Sequence, residues 1–88
     1  MVSEKLKVVN KMGFHMRPAS AFVNEMSKFK SQVTILFDGG TINAKSIMNV
    51  MAACMKCGSN IEIVCDGEDE ADALKSACDM IRSGFGEE

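Results

Sequence analysis

The 88-residue chain contains no tryptophan, no tyrosine, one proline and one histidine. Because it also lacks a long run of basic residues, the sequence gives little support for nucleic-acid binding. No apolar run approaches the roughly 18 residues that cross a bilayer. The first residues lack the apolar stretch of a signal peptide. We therefore expect a cytoplasmic protein that does not enter a membrane and does not bind nucleic acid directly.

The composition is that of a globular protein, with 47% hydrophobic residues. At this length we expect a single domain over residues 1–88 with one modest core. The net charge of −2 is unevenly distributed. Residues 1–60 contain eight basic and three acidic residues, whereas residues 61–88 contain two basic and nine acidic ones. The positive half could steer acidic protein partners toward itself.

The four cysteines are Cys54, Cys57, Cys65 and Cys78. We predict no metal site, because there is no second close cysteine pair and no second histidine. Cys54 and Cys57 form a CxxC that follows an apolar helical stretch, whereas a thioredoxin-like pair precedes its helix. The pattern favours four reduced structural thiols in the core, with Cys65 closing a strand and Cys78 on an apolar helix face. A thiol redox module that uses Cys54 and Cys57 is an alternative.

Hydrophobic periodicity predicts the element order strand, helix, strand, strand, helix, strand, helix. The predicted strands are residues 5–9, 33–37, 41–44 and 61–65, and the predicted helices run from Pro18 to about Phe29, from Ile47 to an end at Gly58, and along a stripe of Ala71, Leu74, Cys78, Ile81 and Phe85. Asp38-Gly39-Gly40 is a turn signal that makes the second and third strands a hairpin. A sheet with one face to cover predicts an α+β fold, with three helices on one side of four antiparallel strands.

The single histidine, His15, lies in the run Gly13-Phe14-His15-Met16-Arg17-Pro18-Ala19. Proline is acceptable in the first turn of a helix, and apolar residues follow at helical spacing: Ala19, Phe22, Val23, Met26 and Phe29. This pattern predicts that His15 sits at an exposed helix N-terminus, where unpaired N–H groups and the helix dipole suit a phosphate. A histidine there, close to the cation of Arg17, could carry a phosphoryl group. The alternatives are that His15 is a solvated loop histidine and that Arg17 is an ordinary surface cation.

A second motif, Lys45-Ser46-Ile47-Met48-Asn49-Val50-Met51, begins the short helix. Ser46 is a credible N-cap, and a phosphate on its hydroxyl would gain helix-end contacts. Methionines at helical spacing are commonly core residues. On a short helix beside the histidine loop, however, some must face outward, and we predict a partner-docking patch of Ile47, Met48 and Met51.

With these two motifs at this spacing, the whole chain closely resembles the HPr family of histidine-containing phosphocarriers of the bacterial phosphotransferase sugar-uptake system. The resemblance implies an open-faced β-sandwich and a carrier that needs no cofactor. His15 would receive a phosphoryl group from phosphoenolpyruvate by way of enzyme I and pass it to the A domain of a sugar-specific enzyme II. Arg17 would neutralise the phosphate. Ser46 would be the target of an ATP-dependent kinase/phosphorylase in bacteria that have one, after which the protein would bind a catabolite-control transcription regulator.

Two positions depart from the family pattern. Met16 stands where the family usually has a small residue, and Asn49 replaces a frequent glycine. Since the chain has no nucleotide-binding loop and no paired carboxylates placed for catalysis, we expect a carrier and not an enzyme. A small soluble carrier is most simply a monomer. The alternative function is a regulatory interaction protein of the same fold that acts mainly through Ser46. Paralogues of that kind lack the histidine, so His15 argues against this as the sole role.

Overall fold

Side chains along each strand alternate between buried and exposed, so one face of the sheet needs a covering layer. A computed structural model describes residues 1–86. Within them the elements are β1 (Val2–Lys7), α1 (Met16–Met26), β2 (Gln32–Phe37), β3 (Gly40–Asn43), α2 (Ile47–Ala52), β4 (Asn60–Asp66), α3 (Glu70–Arg82) and a final 3-10 turn (Gly84–Gly86).

The four strands form one antiparallel sheet in the order β1-β4-β2-β3. Its register aligns buried side chains: Leu6 faces Ile61, while Ile35 lies between Ile63 and Ile42. A slip of one residue would turn these side chains to solvent. α3 packs against β1 and β4, α2 packs against β3, and α1 contacts both other helices. The predicted α+β fold, a four-stranded open sheet covered by three helices, is therefore confirmed.

The predicted hairpin is present and uses the tightest common connection. Asp38 and Gly39 are its two turn residues, with φ of 52° and 78°, and Phe37 pairs with Gly40 across it. Positive φ at both central positions matches the twist of the flanking strands. β3 consequently begins one residue earlier than predicted and ends at Asn43.

The boundaries of the first strand and helix were predicted incorrectly. β1 covers residues 2–7 and not 5–9, because β4 begins only at Asn60. Val8 instead bonds to the turn that precedes β4: its carbonyl oxygen accepts a hydrogen bond from Gly58 N at 2.7 Å. α1 runs from Met16 to Met26, so Pro18 is its third residue and Phe29 lies beyond its end. Proline is tolerated there because first-turn amides have no carbonyl partner within the helix.

The last two helices also correct the sequence prediction. α2 ends at Ala52, since Cys54 adopts a positive φ of 54°, and Gly58 belongs to the following turn. In α3, Ala71 is exposed. The buried positions of α3 are Ala73, Ala77, Cys78 and Ile81, which lie together because residues four apart share a helix face.

The four thiols divide into two pairs. Cys65 and Cys78 are buried, as predicted, whereas Cys54 and Cys57 are exposed. The core assignment of Cys54 and Cys57 was wrong because α2 stops before them and leaves both on the surface.

Candidate functional site

His15 is the N-cap residue of α1, with an extended backbone (φ −81°, ψ −175°). Its carbonyl oxygen accepts the first helical hydrogen bond from Ala19 N at 2.9 Å. The residue is half-buried. The position agrees with the sequence prediction. His15 directly precedes an 11-residue helix, at the end where the aligned peptide dipoles favour negative charge.

The loop that carries His15 rests directly on the segment after α2. Phe14 N donates to Met55 O at 2.9 Å. Gly13 has φ +63°, and a Cβ on it would lie 2.4 Å from Met55 O and 2.8 Å from Lys56 Cα. Only glycine fits this conformation and this approach of two backbones. The position of the His15 loop is thus fixed by residues about forty positions further along the chain.

Two residues that the sequence reasoning did not single out hold this loop closed. The Asn10 side chain is buried and donates to Gly13 O at 2.7 Å, while Gly13 N donates to Asn10 O at 3.1 Å. The Phe14 ring makes edge contacts with Phe22 and Phe85, with centroids 5.5 Å and 4.9 Å apart. The signal for Asn10 was its residue type, since asparagine bonds nearby backbone in turns.

The first turn of α1 supplies the charge and the apolar surface around His15. Arg17 is the second helical residue and is exposed. A guanidinium there offers several N–H donors to an oxyanion. Met16, one of the two departures from the family pattern, is 62% exposed, and its sulfur lies 3.9 Å from Ser20 Oγ. The site therefore combines a nucleophilic ring, a cation and a thioether on one helix end.

Ser46 caps α2 as predicted. Its Oγ accepts hydrogen bonds from Asn49 N at 3.3 Å and from Asn49 Nδ2 at 2.9 Å. The residue is half-buried. Next to it, Lys45 Nζ donates to Phe29 O at 2.7 Å and so connects the start of α2 to the segment that follows α1. Asn49, in place of the family's frequent glycine, adds a second donor to the serine oxygen.

The three predicted docking residues differ in exposure. Met48 is 78% exposed, whereas Ile47 and Met51 are half-buried and pack against the core. α1 and α2 are in contact, so Met48 projects from the layer that also carries His15. Met48 alone of the three presents most of its side chain to solvent.

Two further findings concern residues 1–86. No helix in this range is long and apolar enough to cross a membrane. The same residues contain no cluster of three or more histidine, cysteine, aspartate or glutamate side chains that could hold a metal ion.

Fold and site together define a small α+β protein with a single histidine at the start of a helix and a phosphate-compatible environment. A family model described as the PTS HPr component phosphorylation site matches residues 2–83. The chain therefore belongs to the HPr family of phosphocarrier proteins.

Curated relatives and solved structures agree with this assignment. The phosphocarrier protein HPr of Treponema pallidum is 41% identical over 88 residues, which are 100% of this chain and 100% of that protein. The HPr-like protein Crh of Bacillus subtilis is 41% identical over 75 residues, which are 85% of this chain and 88% of Crh. The crystal structure of HPr-C-His from Thermoanaerobacter tengcongensis superposes with a TM-score of 0.97 at 41% identity, covering 100% of this chain and 99% of the other. A dimer of HPr from the same organism superposes with a TM-score of 0.79 at 40% identity, covering 99% and 100%.

Proposed function

We propose that His15 is the phosphoryl acceptor of this carrier. It receives the group from phosphorylated enzyme I and passes it to the A domain of a sugar-specific enzyme II, in the cytoplasm and as a monomer. The observation that supports this best is the position of His15 as N-cap of α1, because a helix N-terminus favours a bound phosphate. The protein itself catalyses no turnover and depends on its partners.

The chemistry needs positioning and charge stabilisation more than covalent groups. A neutral imidazole nitrogen attacks the phosphorus, a new N–P bond forms, and the bond between phosphorus and the donor breaks. The phosphoryl oxygens then face the N-terminus of α1 and the guanidinium of Arg17. An exposed helix end contributes only about 0.3–1 kcal/mol to such a contact. The group is therefore held weakly enough for the next protein to take it.

Transfer of labelled phosphate from phosphoenolpyruvate by an enzyme I tests this role. We expect acid-labile label on the wild type and none on His15→Ala. Arg17→Ala should slow labelling roughly tenfold through the lost charge-assisted hydrogen bond. Arg82→Ala is the matched control, since this second arginine pairs with Glu4 at the end of α3 and should label normally. Equal labelling of His15→Ala would refute the assignment.

We propose Ser46 as a regulatory phosphorylation site, used where the source bacterium has an ATP-dependent kinase/phosphorylase. The phosphorylated form would bind a catabolite-control regulator. Support comes from Ser46 Oγ at the start of α2, where it already accepts two hydrogen bonds from Asn49. Incubation with ATP and such a kinase should give acid-stable label on the wild type and none on Ser46→Ala. Label that survives in Ser46→Ala would exclude this site.

We propose that Met48, together with the half-buried Ile47 and Met51, docks both phosphotransfer partners. A flexible, exposed methionine adapts to more than one surface. Met48→Ala should weaken binding to an enzyme II A domain in a titration followed by NMR. Leu36→Ala serves as the control, because Leu36 is an exposed apolar side chain of β2. An equal loss in both variants would place the docking surface elsewhere.

The regulatory protein that acts mainly through Ser46 remains the second candidate function. The similarity to Crh supports it. The labelling experiment distinguishes the carrier from the regulatory protein, since a protein that acts only through Ser46 takes no phosphate from enzyme I.

A further inference from the structure

The exposed CxxC is a sequence motif to which the proposed transfer and regulatory functions give no role. Cys54 and Cys57 are both free and exposed. They flank Met55 and Lys56, the segment on which the His15 loop rests. The two exposed thiols therefore lie on either side of the segment that contacts the His15 loop.

Both thiols contact backbone that belongs to the site's framework. Cys57 Sγ lies 3.7 Å from Val9 O, one residue before the Asn10 side chain that closes the histidine loop. Cys54 Sγ lies 3.9 Å from Met51 O at the end of α2. A group added to Cys57 must displace its contact with Val9, and a group added to Cys54 must extend from the end of the helix that carries Met48.

The segment between the two thiols is held in place. Met55 is buried, and its carbonyl oxygen accepts a hydrogen bond from Phe14 N at 2.9 Å. A disulfide needs Cα atoms closer than about 7 Å. We therefore expect each thiol to form a mixed disulfide and not to join the other across the fixed Met55.

Charge favours one kind of thiol reagent. Lys56 lies between the two cysteines, and Lys11 and Arg17 belong to the same histidine loop and helix start; all three are exposed. Cations near a thiol attract an anionic disulfide. Arg17 also serves the incoming phosphate in the proposed function, so an anionic adduct competes with the phosphate for this charge.

We propose that Cys54 and Cys57 are a thiolation site for anionic low-molecular-weight disulfides, and that the mixed disulfides slow phosphoryl transfer at His15. In each step the cysteine thiolate attacks one sulfur of the reagent, a new S–S bond to the protein forms, the reagent's S–S bond breaks, and the second half leaves as a thiolate. A thiol reductant reverses the step. The effect on transfer rests on the proposed function, whereas the site of modification does not.

The chain supplies its own negative control. Cys65 and Cys78 are buried. Burial raises the pKa of Cys65 to about 11 and also raises the pKa of Cys78, so neither forms the reactive thiolate readily in the folded protein. In the folded protein the reagent should therefore modify the exposed Cys54 and Cys57 and leave the buried Cys65 and Cys78 unmodified.

The test treats the folded wild type, Cys54→Ser, Cys57→Ser and the double variant with oxidised glutathione. Intact mass and peptide mapping then locate the adducts. We expect glutathione adducts at Cys54 and Cys57 of the wild type, at the remaining one in each single variant, and none in the double variant. An intramolecular disulfide as the product, adducts at Cys65 or Cys78, or no adduct would each overturn the proposal.

The treated proteins are next labelled with phosphoenolpyruvate and enzyme I. Thiolated wild type should take up phosphate roughly tenfold more slowly, through repulsion of the phosphate and of acidic partners. The untreated protein, the double variant and the protein treated with dithiothreitol should all label at the full rate. Full-rate labelling of the thiolated protein would overturn the regulatory effect. A reduced, untreated protein that takes no label would instead contradict the proposed function, while leaving the adduct map intact.

Discussion

Gly13→Ala tests whether the close approach of two backbones positions the proposed phosphoacceptor, His15. The added Cβ meets Met55 O at 2.4 Å and Lys56 Cα at 2.8 Å, and the residue has φ +63°. Both neighbouring atoms are backbone, so no side chain can rotate away. The loop must lift from residues 55–56, and the hydrogen bond from Phe14 N to Met55 O must lengthen or break.

The size of the effect has two parts. A left-handed conformation costs a residue with a Cβ about 1–2 kcal/mol. Loss of the Phe14 hydrogen bond removes about 1 kcal/mol more. We therefore expect the free energy of unfolding to fall by about 2–3 kcal/mol. Gly39→Ala is the matched control, since Gly39 has φ +78° and nothing within 4 Å of an added Cβ; it carries the backbone part alone.

Urea denaturation of both variants measures the difference, and phosphate labelling measures the consequence for His15. Gly13→Ala should be about 1 kcal/mol less stable than Gly39→Ala and should label more slowly under conditions where it is fully folded. Equal destabilisation of the two variants, or normal labelling of folded Gly13→Ala, would refute the reasoning that this contact sets the position of His15.

Three further predictions concern other parts of the fold. Hydrogen bonds from the Ser31 hydroxyl and from backbone N–H groups including Lys30 hold the pKa of Asp69 at about 2, below the usual 3.8. Since a lowered carboxyl pKa stabilises the fold above the unfolded value, this stability should be lost as the pH falls from about 4 to about 2. Urea midpoints across this range should vary less for Asp69→Asn than for the wild type, and an unchanged slope would contradict the assignment. Ser46→Ala should lower the free energy of unfolding by about 1 kcal/mol through loss of the α2 cap, and Ser46→Asp should retain most of it; thermal unfolding that ranks the two equally would contradict the capping role. Phe14→Leu removes two edge-on ring contacts and should cost about 2 kcal/mol, measured by urea denaturation; a loss well under 1 kcal/mol would show that the rings add nothing beyond their size.

Local signals in the sequence predicted much of the fold. Apolar alternation and helical spacing identified the order of the elements, and Asp38-Gly39 identified the hairpin turn. His15 at a helix start and Ser46 as a cap were also predicted correctly. Each of these features depends on residues a few positions apart, and their preferences act before the chain has any long-range contact.

The element ends were less accessible because packing decides them. Pro18 suggested a helix start, yet α1 begins two residues earlier at Met16. Gly58 suggested a helix end, yet α2 stops at Ala52 because Cys54 turns the chain. The error at α2 carried over to Cys54 and Cys57, which then seemed to be core residues.

The sequence alone thus identified the side chains that we propose for the chemistry: the one histidine, the arginine two residues later and the capping serine. Only the tertiary structure decided how they are held. Gly13 meets Met55 and Lys56, and Asp69 meets Ser31, across 38 positions of the chain in the second case. Such contacts follow from how helices settle on a sheet, and residue preferences over a short window contain no information about that geometry.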